Sequence, residues 1–260
     1  METQPQSKAL TIEEKHAIIL DIMKDIDSFC RKNNIRYAIS DGTMLGAVRH
    51  KGFIPWDDDA DLAMPREDFE KFLKTYKSDK YHLLFNTRTE DEYFVFPYIK
   101  ISDPSTKIHF PKTDDRYGVF IDIFPFDYVP EDEKERFEYA NTVRRLDNRI
   151  WHKHKKDLFS KIKSCRHSLD WYWDRIDQMV HSGKYDDSPL VAQLVCMAGI
   201  YKPLKRDVFD TLTDYEFEGC KFLGFKDYDQ YLSSLFGADY MTPRKWAHNY
   251  VAYRKEDFPA

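Results

Sequence analysis

Trp56-Asp57-Asp58-Asp59-Ala60-Asp61-Leu62 sets four carboxylates beside apolar positions in a segment that otherwise has the pattern of a buried strand. Such crowding is costly unless a cation neutralises it. Alternate side chains of an extended strand share a face, so Asp59 and Asp61 are expected to point one way while Ala60 and Leu62 face the core. Two carboxylates on one face suit Mg²⁺ or Mn²⁺. Mg²⁺ is usually held by one or two carboxylates together with substrate phosphates, so a nucleotide-type ligand is implied. The run alone also fits a solvated turn after Pro55. Asp57-x-Asp59-x-Asp61 copies the opening of a calcium-binding loop, but the places that need glycine and a bidentate glutamate hold Leu62 and Asp68, which argues against calcium.

Context lies upstream, where the apolar stretch Ile35 to Ile39 passes through Ser40-Asp41 to Gly42-Thr43 and then to Met44-Leu45-Gly46-Ala47-Val48-Arg49. The pattern reads as strand, tight turn and helix start. Gly42 lets backbone approach a ligand closely, and the first N–H groups of a helix beginning near Thr43 favour phosphate. A small-residue turn one helix before an Asp-x-Asp strand is the nucleotidyltransferase arrangement, with phosphate on the turn and metal on the strand.

The continuous string from Gly42 through Phe72, GTMLGAVRHKGFIPWDDDADLAMPREDFEKF, resembles the signature of the LicD family, the phosphocholine transferases of bacterial surface glycans, which also includes domains of the fukutin-related proteins. Gly118 to Pro125, GVFIDIFP, resembles that family's second motif. Phe217-Glu218-Gly219, Tyr228 to Leu232 and Phe236 to Met241 resemble its closing motif, so the similarity runs from about Glu14 to His248. Ala60, Ala63 and Ser102 depart from the expected pattern. The resemblance implies a nucleotidyltransferase-like α/β (α+β) fold, a mixed sheet flanked by helices, with a metal-dependent active site.

Composition is compatible with that expectation. A chain of 260 residues can bury a substantial core as one large domain or a domain with an insertion. No run approaches the roughly 18 apolar residues of a membrane span, and the first residues lack a secretion-signal pattern, so the expected location is the cytoplasm, with peripheral contact at the inner face of the membrane. Cys30, Cys165, Cys196 and Cys220 have no Cys-x-x-Cys spacing, which predicts free buried thiols rather than a zinc site. A net charge of −5 argues against a general nucleic-acid binder.

Thr11 and Glu14 form a capping-box pattern before Ile19, Ile22, Met23, Ile26, Phe29 and Cys30, predicting a helix over 11–33. Pro65 opens a second helix through Lys77, and short strands are expected near 81–85, 94–101, 107–110 and 119–124. From Glu131 to Ser182 the pattern is helical, charged and aromatic, and another helix is expected around Leu190 to Met197. The organisation reads as a catalytic core over 1–130, a helical subdomain over 131–200 and a C-terminal segment over 201–260 that completes the core. In the subdomain Arg144, Arg145, Arg149, Lys153, Lys155, Lys156, Lys161, Lys163 and Arg166 meet only Asp147 and Asp157. A solvated helix face is the ordinary reading, with Trp151, Trp171 and Trp173 buried in a helical layer; docking on anionic lipid or a polyanionic glycan precursor is the sharper one.

Chemical roles follow. Asp59 and Asp61 are the expected metal ligands, with Asp122 of Ile121-Asp122-Ile123 as a third ligand or as the base for an acceptor hydroxyl. Gly42, Thr43, Arg49, His50, Lys51 and Lys100 are candidates for the donor phosphates, Arg49 best by its bidentate fork. Trp56, Tyr98, Tyr117 and Phe126 are candidates for facing a quaternary ammonium, although aromatics more commonly serve packing. The resemblance points to a CDP-linked donor such as CDP-choline and a glycan or lipid-linked glycan acceptor, a lipopolysaccharide or teichoic acid precursor. A sugar-nucleotide glycosyltransferase and a catalytically silent glycan-binding module are the alternatives.

Overall fold

The computed structural model describes residues 8–110, 113, 115–196, 203–245 and 250–257. Helix α1 (Ile12–Asn33) begins at the expected capping box, in which the Thr11 and Glu14 side chains each accept from the other's backbone N–H. Its buried stripe of Ile18, Ile19, Ile22, Met23, Ile26 and Cys30 follows the helical period. The chain continues through β1 (Ala38–Ile39), α2 (Asp41–His50), β2 (Asp61–Pro65) and α3 (Arg66–Thr75). Phe29 of α1 packs edge-on against Phe72 and Tyr76, which fastens α1 to α3 and the residue after it.

Five short strands follow, β3 (His82–Leu84), β4 (Thr87–Arg88), β5 (Tyr93–Phe94), β6 (Ile99–Ser102) and β7 (Thr106–His109), before the long β8 (Phe120–Tyr128). The predicted helical stretch holds α4 (Glu133–His154), α5 (Leu158–Lys163) and α6 (Leu169–Val180). It is tied to the sheet side by the Trp173 indole N–H, which donates to the Val95 carbonyl at 2.8 Å. The order ends with β9 (Leu190–Gln193), β10 (Leu204–Lys205), β11 (Leu212–Phe217), β12 (Cys220–Phe225), α7 (Tyr228–Phe236) and β13 (Val251–Arg254).

The segment expected as a helix around Leu190 to Met197 is instead β9, and Met197 itself lies outside the described residues. Val191, Ala192 and Gln193 pair with Tyr128, Asp127 and Phe126 of β8 and are buried, and a short apolar run carries no periodicity that separates a buried strand from a helix. His248, where the family resemblance ends, also lies outside the described residues.

Among the described residues nine strands form one mixed sheet, ordered β10-β9-β8-β2-β1-β12-β11, with β6 on β8 and β3 on β6. The expected α/β mixed sheet with flanking helices is present. Strand β8 is its axis: β2 runs parallel along one edge, while β6 covers Phe120–Ile123 and β9 covers Phe126–Tyr128 on the other. Every residue of β8 except Tyr128 is buried, Asp122 included. A carboxylate in the middle strand of a sheet is the exception that calls for a reason.

The entry to β8 fixes this register. The Gly118 N–H donates to Ser102 Oγ at 2.8 Å, which gives the departure at Ser102 a structural use. A Cβ on Gly118 would lie 1.9 Å from the Asp103 carbonyl oxygen. Backbone has little room to yield, so Gly118→Ala is expected to cost at least about 2 kcal/mol, within the overpacking range. Urea denaturation should show a lowered midpoint; a wild-type midpoint would contradict the packing described.

Candidate active site

Three strands bring the site together in one row. Asp61 of β2 lies opposite Asp122 of β8, and Lys100 of β6 lies opposite Asp122 from the other side. Residues in register on neighbouring strands share a face, so the two carboxylates and the ammonium look the same way. Lys100 Nζ donates to Asp122 Oδ1 at 2.5 Å, and the lysine side chain is only 2% exposed. Its ammonium also stands 3.2 Å from the ring centre of Phe120, 4.9 Å from Tyr117 and 5.3 Å from Phe94. Tyr98, at 6.0 Å, closes the box. Two of the aromatics considered for a ligand's ammonium, Tyr98 and Tyr117, therefore face the protein's own. Phe126 packs in the core on Phe209 and Phe225, and Trp56 lies 5.5 Å below Lys245.

The acidic run divides its carboxylates. Lys15 of α1 pairs with buried Asp58 at 2.9 Å. The Asp57 carboxylate packs against Gly42, where an added Cβ would stand 2.6 Å from Oδ2. Asp59 and Asp61 are partly open while Ala60 and Leu62 are buried, the alternation read from the sequence. The regular strand starts only at Asp61, because Asp57 and Asp58 bend toward α2 and α1 first.

Helix α2 begins at Asp41 rather than near Thr43, so Gly42 and Thr43 occupy its first turn. Thr43 Oγ1 accepts from the Asp61 N–H at 2.8 Å, and the Ser40 N–H donates to the Asp61 carbonyl at 2.9 Å. These bonds fasten the start of α2 to the start of β2. Asp41 has φ 44°, in the left-handed region where aspartate is among the few tolerated residues. Its N–H donates to the Tyr231 hydroxyl at 3.1 Å, and that hydroxyl lies 3.4 Å from Asp41 Oδ2.

The structure thus brings Asp59, Asp61, Asp122, Lys100, Gly42 and Thr43 together. Arg49, His50 and Lys51 sit at the other end of the ten-residue α2 and just beyond it, roughly 13 Å along the axis at 1.5 Å per residue. Arg49 Nη1 donates to the Tyr240 carbonyl at 3.0 Å, Arg49 Nε lies 2.9 Å from His50 Nε2, and the Lys51 carbonyl accepts from the Glu218 N–H at 2.8 Å. Lys100, read as a phosphate ligand, is instead bonded to Asp122 within the row.

Burial and like charge act together on these carboxylates. Burial pushes the Asp61 carboxyl well above the usual carboxylate range, and Asp59, Asp41, Asp122 and Asp57 push it further. Burial raises Asp122 to about 6 against the pull of Lys100, with Asp59 and Asp115 adding to the rise. Burial also raises Asp41 to about 6, although Ser40 and Tyr231 hold it down. The donors are all oxygen, the set that suits Mg²⁺ or Mn²⁺. Among the described residues no three acidic, histidine or cysteine side chains already converge at metal-ligand spacing. What the chain presents is a shared field and face.

Asp41, Lys15, Tyr231 and Tyr250 also contact this region, beyond the residues expected from the sequence. Asp41 adjoins Gly42, and Tyr231 stands in the closing motif, so both had a signal. Tyr250, whose hydroxyl donates to the Asp58 carbonyl beneath Lys15, had none, because 192 residues separate it from its partner. A further buried pair, Asp115 with His154 at 3.0 Å, joins the β7–β8 connection to the end of α4. The four cysteines are free, but Cys165 and Cys196 are exposed, so the expectation of buried thiols holds for Cys30 and not for those two. Trp151 and Trp171, expected to be buried, are 42% and 38% exposed.

Residues 34–173, just over half of the chain, match the family described as LicD/FKTN/FKRP, nucleotidyltransferase domain. The chain belongs to the LicD family. It is 27% identical over 248 residues to the lipopolysaccharide cholinephosphotransferase LicD of Haemophilus influenzae, covering 90% of this chain and 92% of that protein. An uncharacterized protein of Rickettsia typhi is 45% identical over 85 residues, 31% of this chain and 28% of that one. One of Rickettsia prowazekii is 50% identical over 64 residues, 24% of each chain. The LicD match spans β1 through β8 and continues into α6, so it contains Asp59, Asp61, Lys100 and Asp122.

Because Asp41, Asp61 and Asp122 hold protons more tightly folded than unfolded, metal-free protein is expected to lose stability as pH rises from about 4 through about 6. Asp61→Asn should flatten that fall in melting temperature; an unchanged profile would contradict the shared field. Lys100→Met should cost about 3–5 kcal/mol by stranding the buried Asp122 carboxylate, and adding Asp122→Asn should recover most of it. A double variant as unstable as Lys100→Met alone in chemical denaturation would contradict the pairing.

Proposed function

We propose that this protein is a metal-dependent phosphotransferase that moves phosphocholine from a CDP-linked donor such as CDP-choline to a sugar hydroxyl on a surface-glycan precursor, of the lipopolysaccharide or teichoic acid kind. The observation that carries the reading is the row of Asp61, Asp122 and Lys100 in adjacent strands, with Asp59 beside it. The name of the Haemophilus influenzae relative supports the headgroup and the class of acceptor.

Asp59 and Asp61 would hold Mg²⁺ or Mn²⁺, which when bound offsets negative charge on the two donor phosphates as the bond between them breaks. The first turn of α2, with Gly42 and Thr43, offers N–H groups and a positive helix end to the donor phosphates. The acceptor hydroxyl oxygen bonds to the phosphorus that carries choline, the bond from that phosphorus to the bridging oxygen breaks, and CMP leaves. Asp122 takes the hydroxyl proton. Its charge is already met by Lys100 at 2.5 Å, and its value of about 6 suits proton transfer near neutral pH, which favours base over metal ligand.

Purified protein with Mg²⁺ and CDP-choline should release CMP in the presence of a glycan acceptor. Asp59→Asn and Asp61→Asn should each lower the rate more than about a hundredfold, the upper range for losing even an outer-shell partner of a metal. Near-wild-type turnover in either variant would remove the metal assignment. Asp122→Asn should keep Mg²⁺ affinity while the acidic limb of the pH–rate profile disappears; weakened Mg²⁺ binding would make Asp122 a ligand instead. Turnover of UDP-sugars in place of CDP-choline would overturn the donor class.

A further inference from the structure

The short helix α5 is built inside out for a protein that meets only water. Leu158, Phe159 and Ile162 are 73%, 66% and 60% exposed, whereas Ser160 and Ser164 are the buried positions, bonded to one another and to α4 by small polar contacts. Trp151, at the end of α4, is also 42% exposed. Three large apolar residues exposed on one six-residue helix differ from the scattered exposed apolar residues that need no explanation.

Charge says what this patch faces. From His152 to His167 the chain carries Lys153, Lys155, Lys156, Lys161, Lys163 and Arg166 against the single acid Asp157. The Asp157 side chain accepts from the Ser160 N–H at 2.8 Å and so caps the start of α5. Lys163 lies 4.4 Å over the Phe159 ring and Lys155 lies 5.3 Å over Trp151, so ammonium groups rim the apolar residues. A second copy of the same face would set like charge against like, and a neutral apolar partner would leave the basic rim unmet. Apolar side chains that insert among acyl chains while lysines meet anionic headgroups satisfy both features.

The end of α4, which meets α5 where His152 Nδ1 lies 3.3 Å from Ser160 Oγ, also adjoins the candidate active site. The Trp151 ring packs on Phe96 at 5.6 Å, Phe96 on Tyr98 at 5.8 Å, and Tyr98 belongs to the aromatic box around Lys100. Two ring contacts therefore separate the exposed tryptophan from the wall of the acidic row.

We infer that α5 and the end of α4 form a docking surface for anionic lipid bilayer, which holds the active site against a membrane carrying a lipid-linked acceptor. The acceptor's role rests on the proposed function, but docking itself is read without donor, acceptor or metal, so the two ideas fail separately.

The test is co-sedimentation of the full chain with phosphatidylcholine vesicles and with vesicles of phosphatidylcholine and phosphatidylglycerol in equal parts. Wild type should prefer the anionic vesicles by at least about tenfold and lose that preference near 1 M salt, where the Debye length falls to about 3 Å. A variant carrying Leu158→Ser, Phe159→Ser and Ile162→Ser should lose about tenfold or more in binding at an unchanged melting temperature. Lys155→Glu with Lys163→Glu should do the same independently. Equal binding to neutral vesicles, or anionic binding that survives both variants, would overturn the inference. So would a wild-type dimer in light scattering that the serine variant makes monomeric, since a second copy would then be the occupant.

Discussion

The structure depends on how a central β-strand tolerates a carboxylate. Asp122 is buried in β8, where an isolated charge would be expelled or protonated, and Lys100 at 2.5 Å makes its burial tenable. The lysine is equally out of place, and four aromatic faces stabilise it there. A pair of this kind contributes little net stability compared with apolar residues of the same size. Its retention at the axis of the sheet is therefore better understood through the neighbour it supports, Asp61, which lies opposite Asp122 in the adjoining strand.

From that row outward, the fold distributes negative charge by distance from a cation. Asp58 has Lys15, Asp122 has Lys100, and Asp57 packs against the first turn of α2. Asp59 and Asp61 remain the two whose charges bear most directly on one another. Gly42, read as letting backbone approach a ligand, also leaves room for the Asp57 carboxylate, which an added Cβ would crowd at 2.6 Å. The backbone bonds from Ser40 and Thr43 to Asp61 then hold the helix start and strand start as one unit.

Much of this was legible in the chain. The alternation of Asp59 and Asp61 with Ala60 and Leu62, the capping box at Thr11 and Glu14, and the polar Asp122 between isoleucines are all local patterns, and local patterns survive folding. What escaped was long-range. Lys100 reads in the sequence as a phosphate ligand because nothing nearby reveals that β6 will pair with β8 opposite Asp122. Arg49, His50 and Lys51 stood only a few residues past Gly42 in the sequence, but a helix converts those residues into distance along its axis. Leu190 to Gln193 became a strand because β8 had an edge to fill, a fact of topology rather than of period.

The proposed function requires Asp59 and Asp61, in a field that raises the Asp61 carboxyl well above its usual range, to take up a divalent cation. Metal binding to such a site must displace protons. Calorimetric titration of Mg²⁺ into the protein near pH 6, repeated in buffers of different ionisation enthalpy, measures that release directly. Saturable binding is expected with net proton release that Asp61→Asn diminishes; binding without proton release, or no binding with and without CDP-choline, would rule out cation uptake at this pair.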